Sequence, residues 1–249
     1  MSSLSIKYTI VEQIFVNGLC WDQFKQGNFM SEGANGKVYE YMDNKNQKYA
    51  GKMIHLDDSE DNEEDIKKEI EILFKLNKID YVSRYFPFLF GYAKLKINKK
   101  EFYVLFSELC QGSLKDLTMK RWKENGISGQ PIFSLEENYI IFETVVKAVS
   151  ILEENKILHR DIKPANILYN FEKGSLTVKL TDLGEGKFKR TSDETTIRGT
   201  KNFMSPECIF LIFTQQKAIY DAFISDIYSL GLTMLHINLG FIQSGTKKI

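Results

Sequence analysis

Between the apolar runs ILEENKIL and NILY the chain carries HRDIKPAN, His159 to Asn166, which puts an acid, a cation and an amide at tight spacing in one polar loop. Flanking segments that seek burial would hold such a loop at both ends and present Asp161, Lys163 and Asn166 together. A surface turn laced with ion pairs uses the same residue types, so the segment alone does not decide. Downstream, TDLGEG (Thr181 to Gly186) sets a second acid, Asp182, at a strand end beside glycines. Two acids and an amide from neighbouring loops are what a magnesium ion on nucleotide phosphates requires, because that hard cation takes oxygen ligands and keeps several waters.

A phosphate cradle would have to come from elsewhere. MSEGANGKVYE, Met30 to Glu40, offers Gly33 and Gly36 followed by a β-branched residue and aromatics. Taken alone this is ordinary hairpin chemistry, since glycine and asparagine tolerate positive φ and lone glycine patterns are weak signals.

Several elements must position these residues. From Gln23 to Ile54, β-branched and aromatic residues alternate with polar ones and are broken at GANG and DNKNQ, which predicts three antiparallel strands. DDSEDNEEDIKKEIEILFKLNKI follows, with acids at its front and Ile66, Ile70, Leu73 and Leu76 at helical spacing, an amphipathic helix whose first turn suits the dipole. Two more strands are expected around Phe88 to Tyr92 and Glu101 to Phe106, separated by the polar KINKK turn. After the loop GISGQP a helix runs from Leu135 to Glu154, burying Ile140, Ile141, Thr144, Val145 and Ala148. The apolar stretch Ala222 to Ile242 has membrane length, yet Asp226, His236 and Asn238 lie inside it. A buried core helix is the expected reading, because one charge mid-span costs roughly 2.5 to 3.5 kcal/mol.

With 249 residues and 43% hydrophobic content the chain can bury a sizeable core. Lys and Arg balance Asp and Glu at 33 each, so no net field favours nucleic acid or an anionic membrane. Cys20, Cys110 and Cys208 are odd in number and far apart, which argues against a disulfide framework or zinc site and suits a reducing compartment, cytoplasmic with the nucleus as alternative. TIVEQIFVNGLCW near the start is apolar but interrupted by Glu12, Gln13 and Asn17, with no cleavage site after it; residues 1–22 are left without a role.

In order and spacing these blocks resemble a eukaryotic-type protein kinase, from about Phe24 to Gly240. HRDIKPAN is similar to the family's catalytic loop, TDLG to its magnesium-binding DFG with Leu183 for phenylalanine, GTKNFMSPE to the end of its activation segment, and SDIYSLG, with Asp226, to the start of its central helix. The resemblance implies an α+β bilobal fold, a small β-rich N-lobe over 23–108 and a mainly helical C-lobe over 109–249. It implies ATP and Mg2+ as cofactors and a protein carrying a serine or threonine hydroxyl as partner, with no nucleic acid and no membrane. Asp161 would accept or orient the hydroxyl proton and Lys163 neutralise the γ-phosphoryl, while Asn166 and Asp182 hold metal ions. Lys52 in YAGKMI stands where the strand lysine belongs, although Gly51 replaces isoleucine. Glu69 is its expected ion-pair partner, with Glu71 as the alternative. Ser31, Gly33, Gly36 and Val38 take the positions of the nucleotide lid, and Ala50 joins the ATP-binding set. Ser107 or Phe106 stands beside the adenine, and Glu108 to Cys110 form the hinge. Lys163 and Thr200 look like serine/threonine rather than tyrosine kinases. The resemblance implies that Arg160, like the arginine at that position in the family, binds a phosphate on the activation segment, here expected on Thr196 and placed by an upstream kinase or by autophosphorylation.

Three departures stand out. Ser31 replaces the first lid glycine, Leu183 replaces phenylalanine, and the chain ends at Ile249, soon after the central helix. The resemblance implies further helices beyond it and an arginine paired with Glu207, so the C-lobe is expected to be truncated, with one face of the 222–239 helix bare. The alternative function is accordingly a weak or inactive kinase-fold scaffold, or a fragment of a longer kinase.

Overall fold

A computed structural model describes residues 8–33, 36–56, 60–125, 131–188, 197–215 and 221–239. Two compact units divide the chain. One takes in the residues up to Ser83 with Pro87–Leu109, and the other Arg84–Phe86 with the residues from Cys110 on.

The first unit is a six-stranded antiparallel sheet and one long helix. Strand β1 (Tyr8–Phe15) lies in the segment to which the sequence assigns no role, and β2 (Lys25–Gly33), β3 (Gly36–Met42) and β4 (Lys48–His55) are the three strands expected between Gln23 and Ile54. Helix α1 (Glu60–Leu76) follows, then β5 (Leu89–Ile97) and β6 (Lys100–Glu108), in the spatial order β1-β5-β6-β4-β3-β2. Strands β5 and β6 run longer than the sequence reading had them. Their turn narrows to Asn98 and Lys99, both at positive φ (50° and 69°), as a tight hairpin loop requires.

Period-two alternation sends β6 side chains to two different cores. Tyr103 and Leu105 join Ile54, Leu89 and Tyr92 against Ile66 and Ile70 of α1. Val104 and Phe106 join Trp21, Tyr41, Tyr49, Ala93 and Leu95 on the opposite face, with Phe15 and Phe24 packed alongside. The segment before residue 23 therefore supplies both an edge strand and a core tryptophan.

The second unit is mainly helical. It comprises β7 (Gly112–Ser113), α2 (Leu114–Asn125), α3 (Leu135–Glu154), β8 (Ile157–Leu158), β9 (Ile167–Glu172), β10 (Ser175–Leu180), β11 (Lys187–Phe188), α4 (Pro206–Thr214) and α5 (Ala222–Leu239). Helix α3 starts on a capping box: Ser134 Oγ accepts the Glu137 N–H at 3.1 Å, and Glu137 accepts the Ser134 N–H at 2.9 Å. The same carboxylate takes a two-pronged contact from Arg121 of α2 (2.8 and 2.7 Å), which holds its carboxyl below the usual carboxylate range. Ile141, Val145 and Ala148 are buried as expected, Ile140 and Thr144 only partly, and Val149 and Leu152 complete the face. Asn138 and Asn238 exchange amide hydrogen bonds (2.9 and 2.7 Å) and lock α3 to α5. Among the described residues no helix is long and apolar enough to cross a membrane. Within α5, Asp226, Ser229 and Thr233 are buried, while Ile224, Ile227, Leu235 and Leu239 are exposed.

Candidate active site

Between β8 and β9 the chain forms a loop whose backbone is held by α5. Asp226 in the second turn of α5 accepts the His159 N–H at 2.9 Å and the Arg160 N–H at 2.8 Å. Burial pushes the Asp226 carboxyl up, and those two donors with the nearby Arg160 charge act against it. The fully buried His159 adds a second anchor. Its Nδ1 accepts the Asp161 N–H (3.2 Å), which leaves Nε2 to donate to the Thr181 carbonyl (3.1 Å). Arg160 itself is left-handed (φ 67°), a strained conformation for its type that these anchors maintain.

Held this way, Asp161 is almost fully buried and collects donors on both carboxylate oxygens. Lys163 Nζ and Asn166 Nδ2 reach Oδ2 at 2.6 and 3.0 Å; the Thr200 N–H and hydroxyl reach Oδ1 at 2.9 and 2.8 Å. Lys163 also donates to Thr200 Oγ1 at 2.8 Å, closing a triangle of side chains. The approach of Thr200 depends on its neighbour: a Cβ on Gly199 (φ 116°) would fall 2.2 Å from the Arg160 carbonyl oxygen. Only glycine lets the two segments close.

Asn166 spends its Nδ2 on Asp161, leaving Oδ1 as its acceptor, and its carbonyl accepts the Thr181 N–H at 2.9 Å. Asp182, the next residue, is left-handed (φ 64°). An amide oxygen and a carboxylate on loops stitched together are hard donors of the kind magnesium takes. Leu183 is buried. Glu185 holds two arginines, Arg160 through its carbonyl to Nε (2.6 Å) and Arg198 through its carboxylate (3.3 Å). Thr196 lies outside the described residues.

In the first unit Lys52 Nζ meets both oxygens of Glu69, at 2.8 and 3.2 Å, and Glu69 is buried. Glu71 is exposed. Strand pairing sets Ser107 opposite Ala50 and Leu105 opposite Lys52, all on the α1 face, whereas Phe106 lies opposite Gly51 in the aromatic cluster. Of the two candidates beside the adenine, Ser107 is thus the one on the lysine's face. Gly51 is explained by the same alternation, since a Cβ there would meet the Tyr41 ring at 2.3 Å. The β2–β3 hairpin pairs Gly33 with Gly36 and Ser31 with Val38. Gly36 (φ 137°) is sterically required, as a Cβ would lie 2.5 Å from the Met53 carbonyl oxygen, while Gly33 faces open space. Glu108 ends β6 with its N–H on the Phe88 carbonyl at 3.0 Å, and the buried Cys110 opens the second unit.

Residues 24–247 match the protein kinase domain family. The chain belongs to the protein kinase family. This kinase domain is 30% identical to the serine/threonine-protein kinase KIC1 of Saccharomyces cerevisiae over 87% of the chain and 18% of that protein. It is 30% identical to the MAP kinase kinase MKK1/SSP32 of the same yeast over 96% of the chain and 44% of that protein. With mitogen-activated protein kinase kinase kinase 1b of Physcomitrium patens it shares 28% identity over 88% of the chain and 26% of that protein. The chain spans less than half the length of these curated relatives. Protein kinases use ATP and Mg2+. Sequence reasoning carried no site role for His159, Gly199 or Glu185; the first of these was legible as a histidine between an apolar run and the catalytic acid.

Proposed function

We propose that this kinase domain transfers the γ-phosphoryl of ATP to serine or threonine hydroxyls of protein substrates. The observation that carries the reading is the triangle of Asp161, Lys163 and Thr200, a carboxylate, a cation and a hydroxyl within 2.6 to 2.8 Å of one another. A substrate hydroxyl entering it would replace one donor on Asp161 and give that carboxylate its proton, while Lys163 would offset charge on the transferring phosphoryl. Asn166 Oδ1 and the Asp182 carboxylate would hold magnesium, whose chemistry is to neutralise phosphate charge. Lys52, steadied by Glu69, would hold the nucleotide phosphates, and the hairpin from Ser31 to Val38 would cover them. The three free cysteines suit a reducing setting, and we place the domain in the cytoplasm. Relatives named as kinases of kinases make another kinase a reasonable substrate or activator to test.

The test is Mg-ATP phosphorylation of a generic protein substrate by the chain and its Asp161→Asn variant. The variant is expected to be slower by about 10²- to 10⁴-fold. Equal signal from both would leave the scaffold reading.

A further inference from the structure

One polar cluster in the first unit has no part in the site described above. Glu63, in the first turns of α1, accepts from Lys94 Nζ of β5 and from the Tyr103 hydroxyl of β6, both at 3.0 Å, and pairs with Lys67 at 3.0 Å. Lys94 is largely buried and also meets Glu101 of β6 at 3.1 Å. Glu12 of β1 accepts the Tyr92 hydroxyl, and Tyr92 lies 5.8 Å from the Tyr103 ring. Three carboxylates from three elements thus converge around one lysine and two tyrosines.

Glu12 reaches this face through an irregularity in β1. Ile10 pairs with Leu95 and Glu12 with Lys94, so Val11 is an extra residue without a partner. Unbroken alternation would send Ile10 and Glu12 to the same face. The bulge separates them: Ile10 packs on the aromatic core and Glu12 is aimed at the α1 face.

The apolar contacts of α1 with the sheet centre on Ile66 and Ile70, packed with Ile54, Leu89, Tyr92, Tyr103 and Leu105, with Leu73 and Phe74 alongside. Apolar contact is non-directional and tolerates small shifts, whereas hydrogen-bonded charges fix where a helix lies. Glu63 and Glu69 share one rigid helix, so whatever fixes the first sets the reach of the second to Lys52.

We propose that Glu63, Lys94 and Glu12 are positioning residues for phosphoryl transfer, and that the N-terminal strand β1 tunes the Lys52–Glu69 pair through them. The inference rests on the kinase reading. Its test is a double-mutant cycle on the full chain: steady-state kinetics of the unmodified chain, Glu63→Gln, Glu69→Gln and the double variant, with thermal unfolding alongside. Glu63→Gln is expected to lower kcat/KM for ATP about tenfold and to have no further effect once Glu69 is replaced. Lys94→Arg should stay near the unmodified rate and Lys94→Met should match Glu63→Gln; Glu12→Gln should show a smaller loss in the same direction. An unchanged kcat/KM in Glu63→Gln, or losses that multiply in the double variant, would overturn the proposal. A chain no faster than its Asp161→Asn variant would instead sink the transferase reading. Amide hydrogen exchange then decides the positioning claim by itself, faster exchange along α1 in Glu63→Gln supporting it and unchanged exchange overturning it.

Discussion

Lys52 and Glu69 meet because a helix lies on a sheet, whereas Asp161, Lys163, Asn166 and Thr200 meet because a loop is bonded at nearly every step. In the first unit the surface between α1 and the strands is mostly Ile66, Ile70, Leu105 and aromatic rings, with the polar cluster around Lys94 at one end. In the second, each backbone anchor is directional: Asp226 under His159 and Arg160, His159 against Thr181, Asn166 against Asp161. Apolar contact fixes distance better than orientation, while hydrogen bonds fix both. The comparison assigns an adjustable position to the Lys52–Glu69 pair and a fixed one to the catalytic loop.

Breaking the fixed half should cost most. Asp226→Ala leaves the buried N–H of His159 and the partly buried N–H of Arg160 without this acceptor, at about 1 to 3 kcal/mol for the buried one and less for the other. A urea titration should show that loss together with a fall in phosphoryl transfer; an unchanged midpoint would mean the loop does not depend on α5. A smaller effect is expected from Gly51→Ala, whose Cβ would press on the Tyr41 ring. Overpacking of this kind costs about 1 to 3 kcal/mol, and a Tyr41→Leu background should reduce it, as thermal melts of the four proteins would show.

The smallest effect separates the polar clamp from the apolar surface beside it. Hydrogen bonds from Lys94 and Lys67 hold the Glu63 carboxyl at about 2, against an ordinary 4.5. A depressed carboxyl contributes stability that is complete above pH 4.5 and fades as pH falls toward 2. The stability gap between the unmodified chain and Glu63→Gln should therefore be constant near neutrality and close across that acid range. A gap independent of pH would show that packing, not charge, holds the front of α1.

Much of this was legible in advance. GANG and DNKNQ mark where β2 and β3 end and where β3 and β4 begin, because glycine, asparagine and aspartate suit turns. The acids before Ile66 marked α1 through dipole chemistry, whereas the Ser134–Glu137 capping box that starts α3 formed no part of the sequence expectation. Strand β1 was missed for a definite reason. The bulge at Val11 interrupts its alternation, and as an edge strand its exposed Tyr8, Val11 and Ile14 look neither buried nor solvated. Gly51 read as a departure from the family because its cause, the Tyr41 ring, lies on a neighbouring strand. Ser107 and Phe106 could not be told apart until strand register put them on opposite faces.

Local chemistry, then, is what the sequence determined by itself: which residues could accept a proton, offset a phosphoryl charge or ligate magnesium, and which turns delimit the elements that carry them. Such signals act over a few residues and leave their mark in composition and spacing. Only the tertiary structure decided which partner each residue meets: Asp226 beneath the loop from 67 residues away, Gly199 against Arg160, and Glu12 turned by a bulge toward the helix that bears Glu69. Those contacts depend on register and on the packing of distant segments, which no short stretch of residues encodes.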